Sequence, residues 1–155
     1  MEIISSRLHL AAGRLSFLIV MPSRKPIKII LADDHAMVRR GIKKILLEDP
    51  GLLVIEEAGD GVELLEKLKN VTPDLAIVDI SMPRMGGLEA AARIKKHCPR
   101  IKILILTMHR DREFLKRAMD LGVDGYILKE EMDIDLHQAI EDISAGKTYT
   151  SPLLR

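Results

Sequence analysis

The sequence predicts a three-layer α/β fold, a doubly wound five-stranded parallel sheet of order 2-1-3-4-5. Three observations carry this. Short apolar runs alternate with amphipathic helical segments five times between Ile27 and Ala145. Four of the runs are almost continuously apolar, as strands covered on both faces should be. Each of those four ends on a polar residue: Asp33-Asp34, Asp79, Thr107 and Lys129.

The first run, Ile27-Lys28-Ile29-Ile30-Leu31-Ala32, leads to Asp33 and Asp34. After it Ala36, Val38, Gly41, Ile42, Ile45 and Leu46 recur at helical spacing, and Asp49-Pro50-Gly51 stops that helix. Leu52–Glu57 is a second, more mixed strand, suited to a sheet edge. Ala58-Gly59-Asp60-Gly61 turns into a helix over Val62–Asn70. Leu75–Val78 is the strand ending at Asp79, followed by a helix over Leu88–His97. The strand Ile101–Leu106 reaches Thr107, with a helix over Asp111–Leu121 behind it. Gly125–Leu128 reaches Lys129, and Ile134–Ala145 makes the fifth helix.

In the 2-1-3-4-5 order the first and third strands adjoin where the winding reverses. Ligands of open α/β sheets bind there, outside the carboxyl ends of the strands. Asp34 and Asp79 fall at that point. Carboxylates on adjacent strand ends repel, and a cation relieves them. Mg²⁺ (or Mn²⁺) suits all-oxygen ligands completed by water and a phosphate. Asp79, alone at its strand end, is the better nucleophile toward phosphorus, giving an acyl phosphate. Lys129 would neutralise charge in the transfer, and Thr107 would donate a hydrogen bond to a phosphoryl oxygen. Taken singly these residues have plainer uses: Asp34 as a helix cap before His35-Ala36-Met37, Lys129 as a solvated lysine. Their joint order at four strand ends argues for a site.

Composition sets outer limits. Residues 1–25 hold four of the 24 basic residues and one of the 23 acidic ones, so the remainder is slightly acidic. Such a body gives no reason for nucleic-acid binding by itself, and without Trp it lacks stacking platforms. Cys98 is the single cysteine, which fits a reducing compartment such as the cytoplasm. No pair of its five histidines has zinc-site spacing. Leu15–Met21 is apolar but too short to span a bilayer. The organisation expected is a 1–24 extension, disordered or a start-site artefact, a domain over 25–146, and the start of a linker over 147–155.

The motifs Ile30-Leu31-Ala32-Asp33-Asp34-His35, Val78-Asp79-Ile80-Ser81-Met82-Pro83-Arg84-Met85-Gly86-Gly87, Leu106-Thr107-Met108 and Gly125-Tyr126-Ile127-Leu128-Lys129 resemble those of the response-regulator receiver domain of two-component signalling. The wording Ala-Asp-Asp-His, Leu-Thr-Met-His and the closing Ala145–Pro152 stretch resemble its NarL/FixJ-like (LuxR-type) branch. The resemblance implies a flavodoxin-like (CheY-like) fold and phosphorylation of Asp79 from a phosphohistidine on a sensor histidine kinase or phosphotransfer protein. It implies Mg²⁺ ligation by Asp33, Asp34, Asp79 and the Ser81 carbonyl, with Thr107 and Lys129 binding the phosphoryl group. Tyr126 matches the family's aromatic switch, its ring moving inward from an exposed position when Thr107 is drawn to the phosphate. Ser81 and His109 stand where the family tunes phosphoryl lifetime, and Met108 is bulky enough to narrow access. Glu130 follows Lys129 where many receivers have proline.

The reading is a signalling switch rather than an enzyme with a diffusible product, with phosphorylation-dependent homodimerisation and transcriptional output through a helix-turn-helix domain absent from this chain. DNA contact would come only through that domain, and no membrane contact is expected. A stand-alone receiver in a phosphorelay is the alternative within the fold. A haloacid-dehalogenase-type phosphatase is a distant one, because it needs a second aspartate where Ser81 stands. A flavin-binding protein of the same topology is disfavoured by Asp33-Asp34, which would repel a phosphate.

Overall fold

The computed structural model describes residues 7–11, 14–18 and 24–155. Its main body is a six-stranded parallel sheet: β3 (Ile27–Ala32), β4 (Leu52–Ala58), β5 (Leu75–Asp79), β6 (Lys102–Thr107), β7 (Gly125–Leu128) and β8 (Tyr149–Thr150), in spatial order β4-β3-β5-β6-β7-β8. The five expected strands take their expected order, with a sixth added beside β7. Helices α1 (Ala36–Leu46), α2 (Gly61–Lys67), α3 (Gly87–His97), α4 (Arg112–Asp120) and α5 (Met132–Ser144) make the crossovers.

Alternation along the strands divides the core into two layers. Ile29, Leu31, Ile77, Leu104 and Leu106 pack with Ile42 and Ile45 of α1 and Leu136 and Ile140 of α5. Ile30, Val78, Ile103, Ile105 and Tyr126 pack with Leu64 of α2, Ile94 of α3 and Ala118 of α4. β5 is buried along its whole length, whereas β4 is mixed, as its edge position requires. Among the described residues, no helix is long and apolar enough to cross a membrane.

The expectation at the C-terminal end is corrected, and a strand pair lies near the other end. The 147–155 stretch, expected as the start of a linker, is part of the fold. Tyr149 and Thr150 pair in parallel with Gly125 and Tyr126, and Tyr149, Ser151 and Leu154 are buried. The physical reason is that β7, only four residues long, would otherwise leave its hydrogen-bonding edge open. Near the other end, Arg7–Ala11 (β1) and Arg14–Leu18 (β2) pair antiparallel, with Arg7 opposite Leu18 and Ala11 opposite Arg14. These form a separate two-stranded sheet within the 1–24 extension, expected as disordered or a start-site artefact. Its Arg-Leu-His-Leu-Ala and Arg-Leu-Ser-Phe-Leu runs have the polar/apolar alternation of strands. The rest of the 1–24 extension lies outside the described residues, save for Arg24.

Candidate functional site

The acidic residues meet where β3 and β5 end. Asp33 follows β3 and is almost wholly buried. Its Oδ1 accepts the His35 N–H at 2.8 Å and its Oδ2 receives Lys129 Nζ at 2.7 Å. Arg39 of α1 donates to the Asp33 carbonyl while its Nε reaches Glu57 Oε1 at 3.2 Å, bracing the β3–α1 turn against β4. Asp34 is not the helix cap it resembles. The helix begins after His35 with no side-chain cap, which leaves the Asp34 carboxylate to face the site, 2.9 Å from His35 Nδ1.

Asp79 is the last residue of β5, between β3 and β6, and is 4% exposed. Lys129 Nζ lies 3.3 Å from its Oδ2, and the Ser81 N–H reaches its Oδ1 at 3.4 Å. Burial pushes the Asp79 carboxyl above its usual range, against the pull of Lys129 and with a further push from Asp33. One ammonium therefore serves two buried carboxylates, with Asp34 beside them. Oxygen atoms of Asp33, Asp34 and Asp79, with a nitrogen of His35, all lie within 4.8 Å of one another. Three clustered carboxylates with one lysine as counter-charge are a donor set suited to a hard divalent cation. His35 was missed by the sequence reading, although it directly follows the aspartate pair.

Thr107 closes β6, is fully buried, and its Oγ1 accepts the His109 N–H at 2.9 Å. Tyr126, expected to start exposed, is fully buried in the layer that holds Ile103 and Ile105, so that expectation is corrected. Its register opposite Ile105 directs it into this layer, and its hydroxyl makes no hydrogen bond of regular geometry. Burial pushes the phenol above its usual range, with Thr107 as the neighbour opposing the shift. Ser81 Oγ and His109 Nε2 are 3.2 Å apart, and the His109 ring also lies 5.5 Å from that of Phe114. Met108 is 72% exposed.

Glycines shape the loop after Asp79, a role that sequence spacing does not reveal. A Cβ on Gly87, the first residue of α3, would stand 2.1 Å from the Asp79 carbonyl oxygen. Arg84 has φ of 61° and is held there by Asp60, whose Oδ2 lies 2.7 Å from Arg84 Nε. Asp60 also caps α2 through the Glu63 N–H at 2.9 Å. The β4–α2 and β5–α3 loops are thus locked together beside the site. A separate cleft of about 410 Å³ lies at the opposite end of the sheet, lined by Ile27, Asp74, Leu75 and Lys102 among others. The lining residues include none of the clustered Asp33, Asp34, His35 and Asp79 side chains.

Comparison with known proteins agrees with this geometry. A family model described as "Response regulator receiver domain" matches residues 29–141. Oxygen regulatory protein NreC of Staphylococcus carnosus (strain TM300) is 43% identical over 126 residues, covering 81% of this chain and 58% of that protein. The isolated REC domain of RcsB from Salmonella enterica serovar Typhimurium, in the presence of phosphomimetic BeF3-, superposes with a TM-score of 0.79 at 31% identity. That match covers 83% of this chain and 96% of that one. A LuxR-family two-component response regulator from Aurantimonas sp. SI85-9A1 gives 0.80 at 36%, covering 83% and 92%. The chain spans between 53% and 60% of the length of curated relatives it matches.

Proposed function

The chain belongs to the response-regulator receiver domain family of two-component signalling, and from that premise we propose that Asp79 takes a phosphoryl group from the phosphohistidine of a sensor histidine kinase or phosphotransfer protein. The observation that carries this is the Asp33–Lys129–Asp79 arrangement, a largely covered lysine side chain bridging two buried carboxylates at the sheet's switch point. Asp33, Asp34, Asp79 and the Ser81 carbonyl are the residues to hold Mg²⁺ (or Mn²⁺). When bound, that cation neutralises charge between the carboxylates and the incoming phosphoryl oxygens.

The chain's own residues supply the rest. Asp79 Oδ attacks phosphorus in line, the histidine nitrogen leaves, and Lys129 moves its ammonium from carboxylate to phosphoryl oxygen. Thr107, whose Oγ1 accepts the His109 N–H, has its own hydroxyl proton free to donate to the phosphoryl group. Tyr126, already inward, packs in the space behind Thr107, which favours the switched arrangement of a two-state equilibrium. Ser81 and His109 tune the lifetime of the acyl phosphate, His109 by orienting a hydrolytic water, and the exposed Met108 partly shields the group. Autodephosphorylation returns the domain to rest.

In the cell we place the domain in the cytoplasm, forming a homodimer on phosphorylation and regulating transcription through a helix-turn-helix domain. The domain would occupy residues 25–155. The deciding experiment is intact mass after incubation with Mg²⁺ and acetyl phosphate. One added phosphoryl group is expected, absent from Asp79→Asn and lost with a chelator. A mass gain that survives Asp79→Asn would place the chemistry elsewhere.

A further inference from the structure

Ser151 precedes Pro152, and a Ser-Pro pair commonly starts a turn of helix. It does stand at the N-cap of the turn Pro152–Leu154, yet its hydroxyl makes no capping bond. The hydroxyl is committed elsewhere. Ser151 Oγ accepts the Leu128 N–H at 3.1 Å and donates to Asp135 Oδ2 at 3.3 Å, while the Ser151 N–H donates to the Tyr126 carbonyl at 3.0 Å. One residue therefore brackets the end of β7 from Tyr126 to Leu128 and ties it to the first turn of α5. Ser151 is fully buried and Asp135 nearly so. Lys129 is the next residue along, starting a 3₁₀ turn for which Leu128 is the cap.

We propose that Ser151 is a positioning residue for the phosphoryl-receiving site, fixing the Leu128 peptide and so the reach of Lys129 to Asp33 and Asp79. A serine hydroxyl has one proton and two lone pairs, and here the proton goes to Asp135 while a lone pair takes the Leu128 N–H. Its removal leaves a buried amide and a buried carboxylate short of a partner at the residue before Lys129. The coupling runs both ways, because a tail position that favours the bound arrangement of Lys129 is itself favoured when the site is filled. Segment 149–154 then reports site occupancy to whatever the chain is joined to.

This inference rests on the receiver reading above, and beryllofluoride with Mg²⁺ is the probe for both. The unsubstituted chain, Ser151→Ala and Tyr149→Phe are titrated with it, and thermal stability is recorded for each. Ser151→Ala is expected to bind about fivefold more weakly, the scale of one buried hydrogen bond. Tyr149→Phe leaves the Leu128 contact intact, so it should lose stability without losing affinity. Amide exchange in residues 149–154 of the unsubstituted chain should slow when beryllofluoride is bound, an arm that needs no variant to fold. Parental affinity in Ser151→Ala, or exchange in 149–154 that is indifferent to loading, overturns the positioning role. No binding by the unsubstituted chain would instead sink the receiver reading, and this inference with it.

Discussion

The Ser81 hydroxyl and His109 Nε2, 3.2 Å apart, join the loop after Asp79 to the loop after Thr107. Each residue lies two positions beyond a proposed phosphoryl-contacting side chain, and the bond ties the imidazole to the loop that follows Asp79. A ring so placed can orient water toward an acyl phosphate. His109→Ala is therefore expected to lengthen the life of phosphorylated Asp79 roughly tenfold, less than the ~10²-fold typical of a full general base. Ser81→Ala, which frees the ring, should lengthen it by less. Decay followed by intact mass after removal of donor checks both, and an unchanged rate in His109→Ala would make it a plain surface histidine.

Lys129 is the one cation bonded to both Asp33 and Asp79 among the described residues, and it is itself 8% exposed. Lys129→Met leaves two buried carboxylates without their counter-charge. Breaking such a pair costs about 3 kcal/mol or more, read as a lower denaturant midpoint in metal-free buffer. Added Mg²⁺ should restore much of the loss, because a cation bound only by the native state stabilises it by mass action. Phosphorylation should still fail. A variant whose stability ignores Mg²⁺ would contradict the assignment of those carboxylates to a cation.

The two tyrosines, without any tryptophan, make the alkaline titration readable. Burial pushes Tyr149 up to about 12, with Asp135 adding to the shift, and pushes Tyr126 upward as well. In the unfolded chain each phenol ionises near pH 10. Tyr149 therefore contributes stability that is complete below pH 10 and is lost as pH rises through about 12. The expected phenolate absorbance is small at pH 10 and grows above it, together with loss of β8. Tyr149→Phe should flatten the fall in stability over that interval. A full two-tyrosine signal at pH 10 in folded protein would contradict the buried placement.

What the sequence disclosed, and what it hid, divides along physical lines. Asp79, Asp33, Thr107 and Lys129 were legible because a buried parallel strand is nearly all apolar, so a polar residue at its end stands out. The meeting of Asp33, Asp79 and Lys129 then followed from the strand order. The exposed start of Tyr126 came from the resemblance to an aromatic switch, and a family pattern does not say which position the ring occupies in this chain, where it is fully buried. Ser151 and the sixth strand were read as linker because two residues of pairing carry no periodic signal. The reason for glycine at position 87 exists only in three dimensions.

That reason gives the last prediction. Gly87 opens α3 directly against the strand end that carries Asp79, and its N–H donates to the Ile80 carbonyl at 2.9 Å. An added Cβ would sit 2.1 Å from the Asp79 carbonyl oxygen, a contact that only backbone movement relieves. Overpacking of this kind costs about 1–3 kcal/mol. The displacement falls on Asp79 itself, so the damage to chemistry should exceed the damage to stability. Gly87→Ala is expected to fold with a lowered melting temperature and to accept phosphoryl from acetyl phosphate far more slowly than its stability alone would explain. Alanine at Gly146 makes the comparison sharp: its φ of +81° makes the substitution a backbone strain, with no atom within 4 Å of the new Cβ. That variant should lose stability while phosphorylating at the parental rate. Equal slowing in both would attribute the effect to general destabilisation rather than to the fit of α3 against Asp79.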